Sequence, residues 1–452
     1  MELNNKNVMV YGAARSGISA ARLLQRLGAF VLLFDGNTNL SLDEFCDKLE
    51  MDRIRLVTGK LSDEIINSVE LVIISPGVAT DQPDILRIKA KSIPIWGEIE
   101  LAFRYTKGKI IGITGTNGKT TTTTLVGQIM QSYFPEVYVV GNIGKSYTNI
   151  ALNTSENAVI VIELSSFQLE TIHSFLPDIG AILNITPDHL DRHHTMEEYI
   201  AMKERIALNQ GQTQICFLNY EDEILRDMAQ RLKSKVIFFS SKRILEEGLY
   251  MEEDDIHFSY ENKINWVCNV NDLHVIGRHN YENVMVAAGI SFFMGIPMET
   301  IRKAILNFKA VEHRIEYVET IDEVIYYNDS KGTNPDASIK AIQAMTHPTI
   351  LIAGGYDKKV SFDDWIRAFE NKVKYLILLG QTKNMIADAA KKQGFENIIF
   401  VENLKEAVSI SKKLAKPGDA VLLSPACASW GMFQDFEQRG NLFKEYVREI
   451  LE

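Results

Sequence analysis

The segment Gly112–Leu125, GITGTNGKTTTTTL, holds the residues best suited to chemistry on a phosphate. An apolar run, KIIGITG, leads into it and a helical stretch leads out. Gly115 and Gly118 therefore fall where a strand turns into a helix. There they can aim backbone N–H groups at an anion, and the helix N-terminus adds positive potential. Lys119 can reach the outer phosphates of a nucleotide, and the Thr120 hydroxyl suits Mg2+, which takes hard oxygen ligands. The common phosphate-loop pattern has a glycine five residues before the Gly-Lys pair; here that position is Ile113. The plainer alternative is a tight turn with a solvated lysine.

Further polar groups follow other apolar runs. VIELSSFQLE puts Glu163 at the end of a buried strand, at the mouth of a parallel sheet, where ligands sit and where an acid can give Mg2+ a second ligand. A helix N-terminal acid is the alternative. NITPDHLDRH places Asp188 and His189 at a neighbouring strand end, with His193 and His194 on a solvated turn. Lys203, in YIAMKERI, reads by composition as a surface lysine on a helix. NDSKGTNPDA (Asn328–Ala337) ends a strand and begins a helix, with Thr333 or Asn334 able to cap it before Pro335 and with Asp329 and Lys331 on the turn. Lys358 lies in a similar turn, GGYDKKVSF, and LLSPACASWGMFQDFEQRGNLF offers Ser429 and a helix start. All three turns lie at strand C-terminal ends, so they converge on one edge of a C-terminal sheet.

Near the N-terminus, YGAARSGISAA is similar to a dinucleotide-binding turn, with Asp35 where a ribose-binding acid would sit. Ala14 replaces the middle glycine, which in that motif lets the backbone approach a pyrophosphate. A nicotinamide cofactor and a plain strand–helix turn are two readings; a nucleotide-like ligand held differently is the favoured third.

The elements that must position these groups alternate between strand and helix. Residues 1–96 carry the strands NVMVYGA, FVLLFDG and LVIISPG and the helix SGISAARLLQRLG. Residues 97–312 carry KIIGITG, VYVVGN, AVIVIELSS, DIGAILNI, TQICFLN and VIFFSS, a two-stranded patch of IHFSY with LHVIG, and the helix NYENVMVAAGISFFMG. Residues 313–452 carry VIYYNDS, TILIAGG, YLILLG, NIIFV and AVLLSPA. Alternation of this kind predicts an α/β fold with parallel sheets. The expected fold class is three α/β domains: Rossmann-like, central P-loop ATPase-like, and Rossmann-like again. A chain of 452 residues is too long for one core.

Composition narrows the function classes. The chain is 46% apolar and 24% charged, which suits a folded protein. A net charge of −11 without a long basic run argues against nucleic acid and anionic membranes as partners. No apolar run approaches the roughly 18 residues of a membrane span. Cys46, Cys216, Cys268 and Cys427 are widely spaced, so neither zinc nor a disulfide framework is indicated. The N-terminus lacks the basic start and cleavage site of a leader. These features predict a reduced, cytoplasmic enzyme.

Taken together, GTNGKTTT, GNIG, ELSSFQLE, NITPDHLDRH, MKERI, GRHNYEN, EHRIE, NDSKGTNPDA and SPACASWGMFQDFEQRGNLF occur in the order of the Mur ligases, and the chain resembles that family along its whole length. The last two blocks are similar to those of its D-glutamate-adding members. The resemblance implies ATP-driven amide formation, with UDP-N-acetylmuramoyl-L-alanine as acceptor, D-glutamate as amine, an acyl phosphate between them, and a monomer with two Mg2+ ions. It implies ATP contacts at Gly115, Thr116, Asn117, Gly118, Lys119, Thr120, Thr121, Asn283, Arg314, Asp329 and Lys331. It implies metal contacts at Thr120, Glu163, His189 and Lys203, the lysine being carbamylated; with Lys119, the last three form the catalytic set. UDP-sugar contacts are implied at Arg15, Ser16, Asp35, Ser75, Gly77 and Asn142, and D-glutamate contacts at Thr333, Lys358, Ser429 and Phe436.

Three other readings are available. A folylpolyglutamate synthetase, another ATP-dependent amide ligase, shares the phosphate loop but has no need of residues 1–96. A nicotinamide dehydrogenase leaves the loop and the C-terminal turns unexplained. A non-catalytic nucleotide-binding scaffold needs neither Lys119 nor Glu163 for turnover.

Overall fold

The computed structural model describes residues 2–41, 53–309, 311–357 and 360–450. The chain forms two compact units, Met1–Val267 with Met285–Ala304, and Cys268–Val284 with Ile305–Glu452.

The first unit holds two sheets. One has five parallel strands in the spatial order Ile54–Thr58, Phe30–Asp35, Asn7–Tyr11, Leu71–Ile74, Ile95–Gly97. The connections reverse direction between Asn7–Tyr11 and Leu71–Ile74, which opens a ligand crevice at the C-terminal ends of that pair. Helix Arg15–Arg26 leaves the first of these ends and buries Ala20, Ala21, Leu23 and Leu24. Gly28, at φ 81°, follows its last turn. A Cβ on Gly17 would lie 1.8 Å from the Gly12 carbonyl oxygen, so this strand–helix junction closes only on glycine.

The second sheet has nine strands, in the order Lys263–Asn269, Asp255–Tyr260, Gly248–Glu252, Lys235–Ser240, Ile215–Asn219, Ile179–Ile182, Lys109–Thr114, Val159–Glu163, Val137–Gly141. From Gly248–Glu252 onward every pairing is parallel, and Asp255–Tyr260 runs antiparallel to it. The central strands are continuously buried, as expected where helices cover both faces. The expected pairing of IHFSY with LHVIG is not formed. Asp255–Tyr260 lies between Gly248–Glu252 and Lys263–Asn269, and residues 273–277 lie outside the sheet. Lys263–Asn269 is an edge strand with Lys263, Ile264 and Trp266 exposed, so it shows no continuous apolar run; Leu273 and Val275 are apolar because they are buried in a loop. One apolar core, with Val10, Leu33, Trp96, Ile99, Ile160 and Leu164 among its members, runs through both sheets of this unit.

The second unit holds a six-stranded sheet ordered Glu316–Ile321, Val324–Asn328, Ala420–Leu423, Thr349–Ala353, Val373–Leu378, Ile398–Phe400. The first pair is antiparallel and the others parallel. Trp365 and Phe369 pack on one face with Leu351 and Leu376; Phe443 and Val447 pack on the other with Ile350 and Val421. Glu316–Ile321 is a half-exposed edge strand with no run of apolar residues, which hid it in the sequence.

Candidate active site

Strand Lys109–Thr114 ends at Gly115 (φ 149°), and the chain turns through Gly118 (φ 84°) into helix Lys119–Gln131. The loop between is held from beneath. Thr116 N–H donates to the Asn184 carbonyl (2.9 Å), and Asn117 N–H donates to the Asn184 side chain (2.8 Å), which donates back to the Asn117 carbonyl (3.1 Å). The Thr116 hydroxyl lies 3.0 Å from that of Tyr199. Lys119 curls over the loop and donates to the carbonyls of Gly115 (2.9 Å) and Thr116 (2.8 Å). Thr120 and Thr121 are buried in the first helical turn.

Glu163 ends the adjacent strand, in register with Ile113 and Gly141. It is 1% exposed. Its Oε1 accepts from Asn142 Nδ2 at 2.9 Å, and its Oε2 has no hydrogen-bond partner among the described residues. Asn142, expected on the UDP-sugar side, thus orients the carboxylate beside the phosphate loop.

Lys203 is not a surface residue. It is 1% exposed, its Nζ donates to the Gly115 carbonyl at 2.8 Å, and it lies 4.7 Å above the Tyr199 ring. Burial, and then the nearby Lys119 charge, hold its ammonium well below the ordinary lysine range. Composition misassigned it because a single buried polar position on a helix leaves no periodic mark. His193 is not on a solvated turn either. It is buried, 2.9 Å from Ser166 Oγ, with its ring stacked on Phe167. His194 is exposed beside Asp81. His189 is half-exposed, edge-on to Phe167 and 3.5 Å from Asp188 Oδ2. His189 (φ 53°) and His194 (φ 62°) bracket the short helix Leu190–His193 in left-handed backbone, which sharply turns the histidine segment.

At the crevice of the five-stranded sheet, Asp35 accepts from the N–H groups of Ala13 (2.8 Å) and Asn37 (2.9 Å), so it pins the strand–helix turn. Arg15 donates to the Gly144 carbonyl, two residues beyond Asn142. Ser16 lies in the first turn of that helix. Ser75 Oγ donates to the Gly12 carbonyl (3.2 Å), and a Cβ on Gly77 would meet open space. Arg192 donates to the Val78 carbonyl (2.9 Å) and to Glu170 (2.6 Å), tying the loop after Ser75 to the histidine segment.

In the second unit, Asp329 is buried. Its Oδ2 accepts from Ser424 Oγ (2.7 Å) and its Oδ1 from Ile315 N–H (3.3 Å). Burial raises its carboxyl to about 7, against the opposing influence of Ser424 and Arg314. Lys331 lies 4.8 Å over the Phe436 ring. Asn334, not Thr333, caps helix Pro335–Ala344, accepting from Ala337 N–H at 2.8 Å. Ser429 is buried in a loop, and the helix expected there begins instead at Phe436, where the Asp435 side chain caps it. Asn283 is buried on helix Arg278–Phe293, donating to Asn280 Oδ1. Lys358 lies outside the described residues.

Asn184, Tyr199, Arg192 and Arg439 escaped sequence reasoning. Asn184 stood in a strand-end motif and could have been read; the other three are helical residues whose partners are distant in sequence.

These parts make a phosphate-binding α/β enzyme with a buried acid at the neighbouring strand end. The chain belongs to the Mur ligase family. Residues 6–97 match the description Mur ligase MurD-like, N-terminal domain; residues 113–291 match Mur ligase middle domain; residues 313–427 match Mur ligase, glutamate ligase domain. It is 53% identical to the UDP-N-acetylmuramoylalanine–D-glutamate ligase of Lachnoclostridium phytofermentans over 100% of this chain and 99% of the relative. It is 46% identical to the enzyme of that name from Clostridioides difficile over 100% of both. Among solved structures it is similar in fold to the UDP-N-acetylmuramate–alanine ligase of Thermotoga maritima (TM-score 0.60, 19% identity, 99% of this chain and 100% of that one). It is likewise similar to MurF of Acinetobacter baumannii (TM-score 0.62, 14% identity, 98% and 93%). The three α/β domains expected from the sequence are those of this family.

Proposed function

We propose that this chain joins D-glutamate to UDP-N-acetylmuramoyl-L-alanine at the expense of ATP, as a cytoplasmic monomer. What carries the reading is a buried Glu163 carboxylate with an unpartnered Oε2 beside a phosphate loop, in a chain 53% identical throughout to a ligase of that name. In the assignment we favour, residues 1–96 hold the nucleotide-sugar, 97–312 the ATP and 313–452 the amino acid.

The acceptor's alanyl carboxylate attacks the γ-phosphorus of ATP; a P–O bond forms and the bond to ADP breaks. The amine of D-glutamate then attacks the acyl carbon, phosphate leaves with the C–O bond, and the amine's surplus proton passes to solvent. Bringing a carboxylate onto a triphosphate is opposed by charge repulsion, so the work of the site is neutralisation and alignment. Lys119 and the N–H groups of the loop supply fixed positive charge. The residues present suit a divalent cation: Glu163 Oε2 is a buried, unpartnered carboxylate oxygen, and Thr120 supplies a hydroxyl. Mg2+ there would neutralise phosphate charge. His189 and Lys203 are the residues for a second ion. Among the described residues no three His, Cys, Asp or Glu groups cluster for a metal. A carbamate on Lys203 would add the missing oxygens, and the burial that favours its neutral amine also favours attack on carbon dioxide. Arg15, Ser16, Asp35, Ser75, Gly77 and Asn142 serve the nucleotide-sugar. Asn283, Arg314, Asp329 and Lys331 serve ATP, and Thr333, Lys358, Ser429 and Phe436 serve D-glutamate.

The test is the amino-acid dependence of ADP release. The purified chain should release ADP only with both UDP-N-acetylmuramoyl-L-alanine and D-glutamate present. Release with L-lysine or meso-diaminopimelate but not with D-glutamate would reject the assignment.

A further inference from the structure

Arg439 is among the largest fully buried side chains of the chain, 2% exposed on helix Phe436–Glu449. Its guanidinium spans two loops. Nε donates to Ser330 Oγ (2.9 Å), Nη2 to the Ser330 carbonyl (2.7 Å) and Nη1 to the Cys427 carbonyl (3.1 Å). Ser330 Oγ in turn donates to the Phe436 carbonyl at 2.8 Å. Three segments are thereby joined by one side chain: the turn with Asp329 and Thr333, the loop with Ser429, and the start of the helix at Phe436. Among the described residues no carboxylate makes an ion pair with it.

A buried cation held by carbonyls and a hydroxyl is a costly way to fill a core, since apolar side chains of similar volume do so as well or better. Its rigid fork does what an apolar side chain cannot, fixing several acceptors at set angles. The helix is seated tightly alongside: a Cβ on Gly440 would lie 2.2 Å from His313 Nδ1, and the Gly440 carbonyl accepts from Asn328 Nδ2 at 3.3 Å. Its charge also reaches the buried Asp329.

We propose that Arg439 is a positioning residue for the amino-acid substrate: its guanidinium locks Ser330, Cys427 and Phe436 together so that Thr333, Ser429 and Phe436 form one preformed site for an acidic amino acid. This rests on the function proposed above.

The experiment uses the full-length enzyme and steady-state ADP release, varying each substrate in turn. Arg439→Lys keeps the charge and loses the fork; Ser330→Ala removes the hydroxyl that accepts from Arg439 Nε and donates to the Phe436 carbonyl, and leaves the Nη2 and Nη1 contacts in place. The KM for D-glutamate should rise at least about tenfold in Arg439→Lys and about threefold or more in Ser330→Ala, with the KM for UDP-N-acetylmuramoyl-L-alanine within about twofold of wild type in both. A D-glutamate KM unchanged in both folded variants, or a parallel rise in all three substrates' KM values, overturns the inference. Should Arg439→Lys fail to fold, Ser330→Ala decides by the same criterion. Wild-type ADP release that is indifferent to D-glutamate overturns the functional reading and this inference with it. A D-glutamate-dependent wild type with unaltered variants overturns the inference alone.

Discussion

Lys119 and Lys203 donate to the same oxygen, the carbonyl of Gly115, at 2.9 and 2.8 Å. One carbonyl has lone pairs for both, but two ammonium groups so close repel each other. Lys203 is the buried partner, and burial, then the Lys119 charge, holds its ammonium well below the ordinary lysine range. The proposed division of roles follows from this contrast in burial: Lys119 serves the phosphate and Lys203 carries the carbamate. Lys203→Ala should lower turnover on the order of 100-fold or more, with partial recovery on adding formate or acetate as the missing oxygen ligand. Absence of any recovery, measured as ADP release across a concentration series, would count against the carbamate.

The unpartnered Oε2 of Glu163 makes a separable prediction. Glu163→Gln keeps the shape and the Asn142 contact but weakens a hard-cation ligand. The Mg2+ concentration needed for half-maximal ADP release should rise by about 10- to 100-fold. Chelation of Mg2+ should abolish release in both proteins. A titration superimposable on wild type would remove Glu163 from the metal site.

Glu98, buried on helix Glu98–Phe103, accepts from Gln168 Nε2 at 2.8 Å, and burial raises its carboxyl to about 7 from an ordinary 4.5. Between those values the folded state holds a proton that the unfolded state has released. The stability this group contributes is therefore present at low pH and lost as pH rises from 4.5 through 7. Glu98→Gln cannot titrate. Its stability relative to wild type should improve across that window and then level off, by at most about 3 kcal/mol. Denaturant melts at several pH values test this, and a difference independent of pH would refute it.

The Gly12 carbonyl occupies the space a Cβ on Gly17 would need. Gly17→Ala should destabilise the first unit by about 3 kcal/mol, because neither group can move without opening the strand–helix turn. Where the variant still folds, its KM for the nucleotide-sugar should rise and its KM for ATP should not. Equal effects on both would place the turn outside the acceptor site.

Much of the site was legible because strand ends and glycine turns leave local marks. The phosphate loop, Glu163 and Asp329 stand where an apolar run stops, and the Asn334 cap takes its partner, Ala337 N–H, from the same turn. The edge strands Lys263–Asn269 and Glu316–Ile321 were not legible, since exposed strands need no apolar run. By itself the sequence determined the parallel strands at the heart of the three sheets and the polar groups at their ends, because continuous burial on both faces admits only such runs. Tertiary structure alone decided that Lys203 is buried under Gly115, that His193 faces Ser166, and that Arg439 holds Ser330 to Cys427. A lone polar residue on a helix carries no sign of burial; its fate depends on partners 12 to 109 residues away, which only the packed chain brings within hydrogen-bond distance.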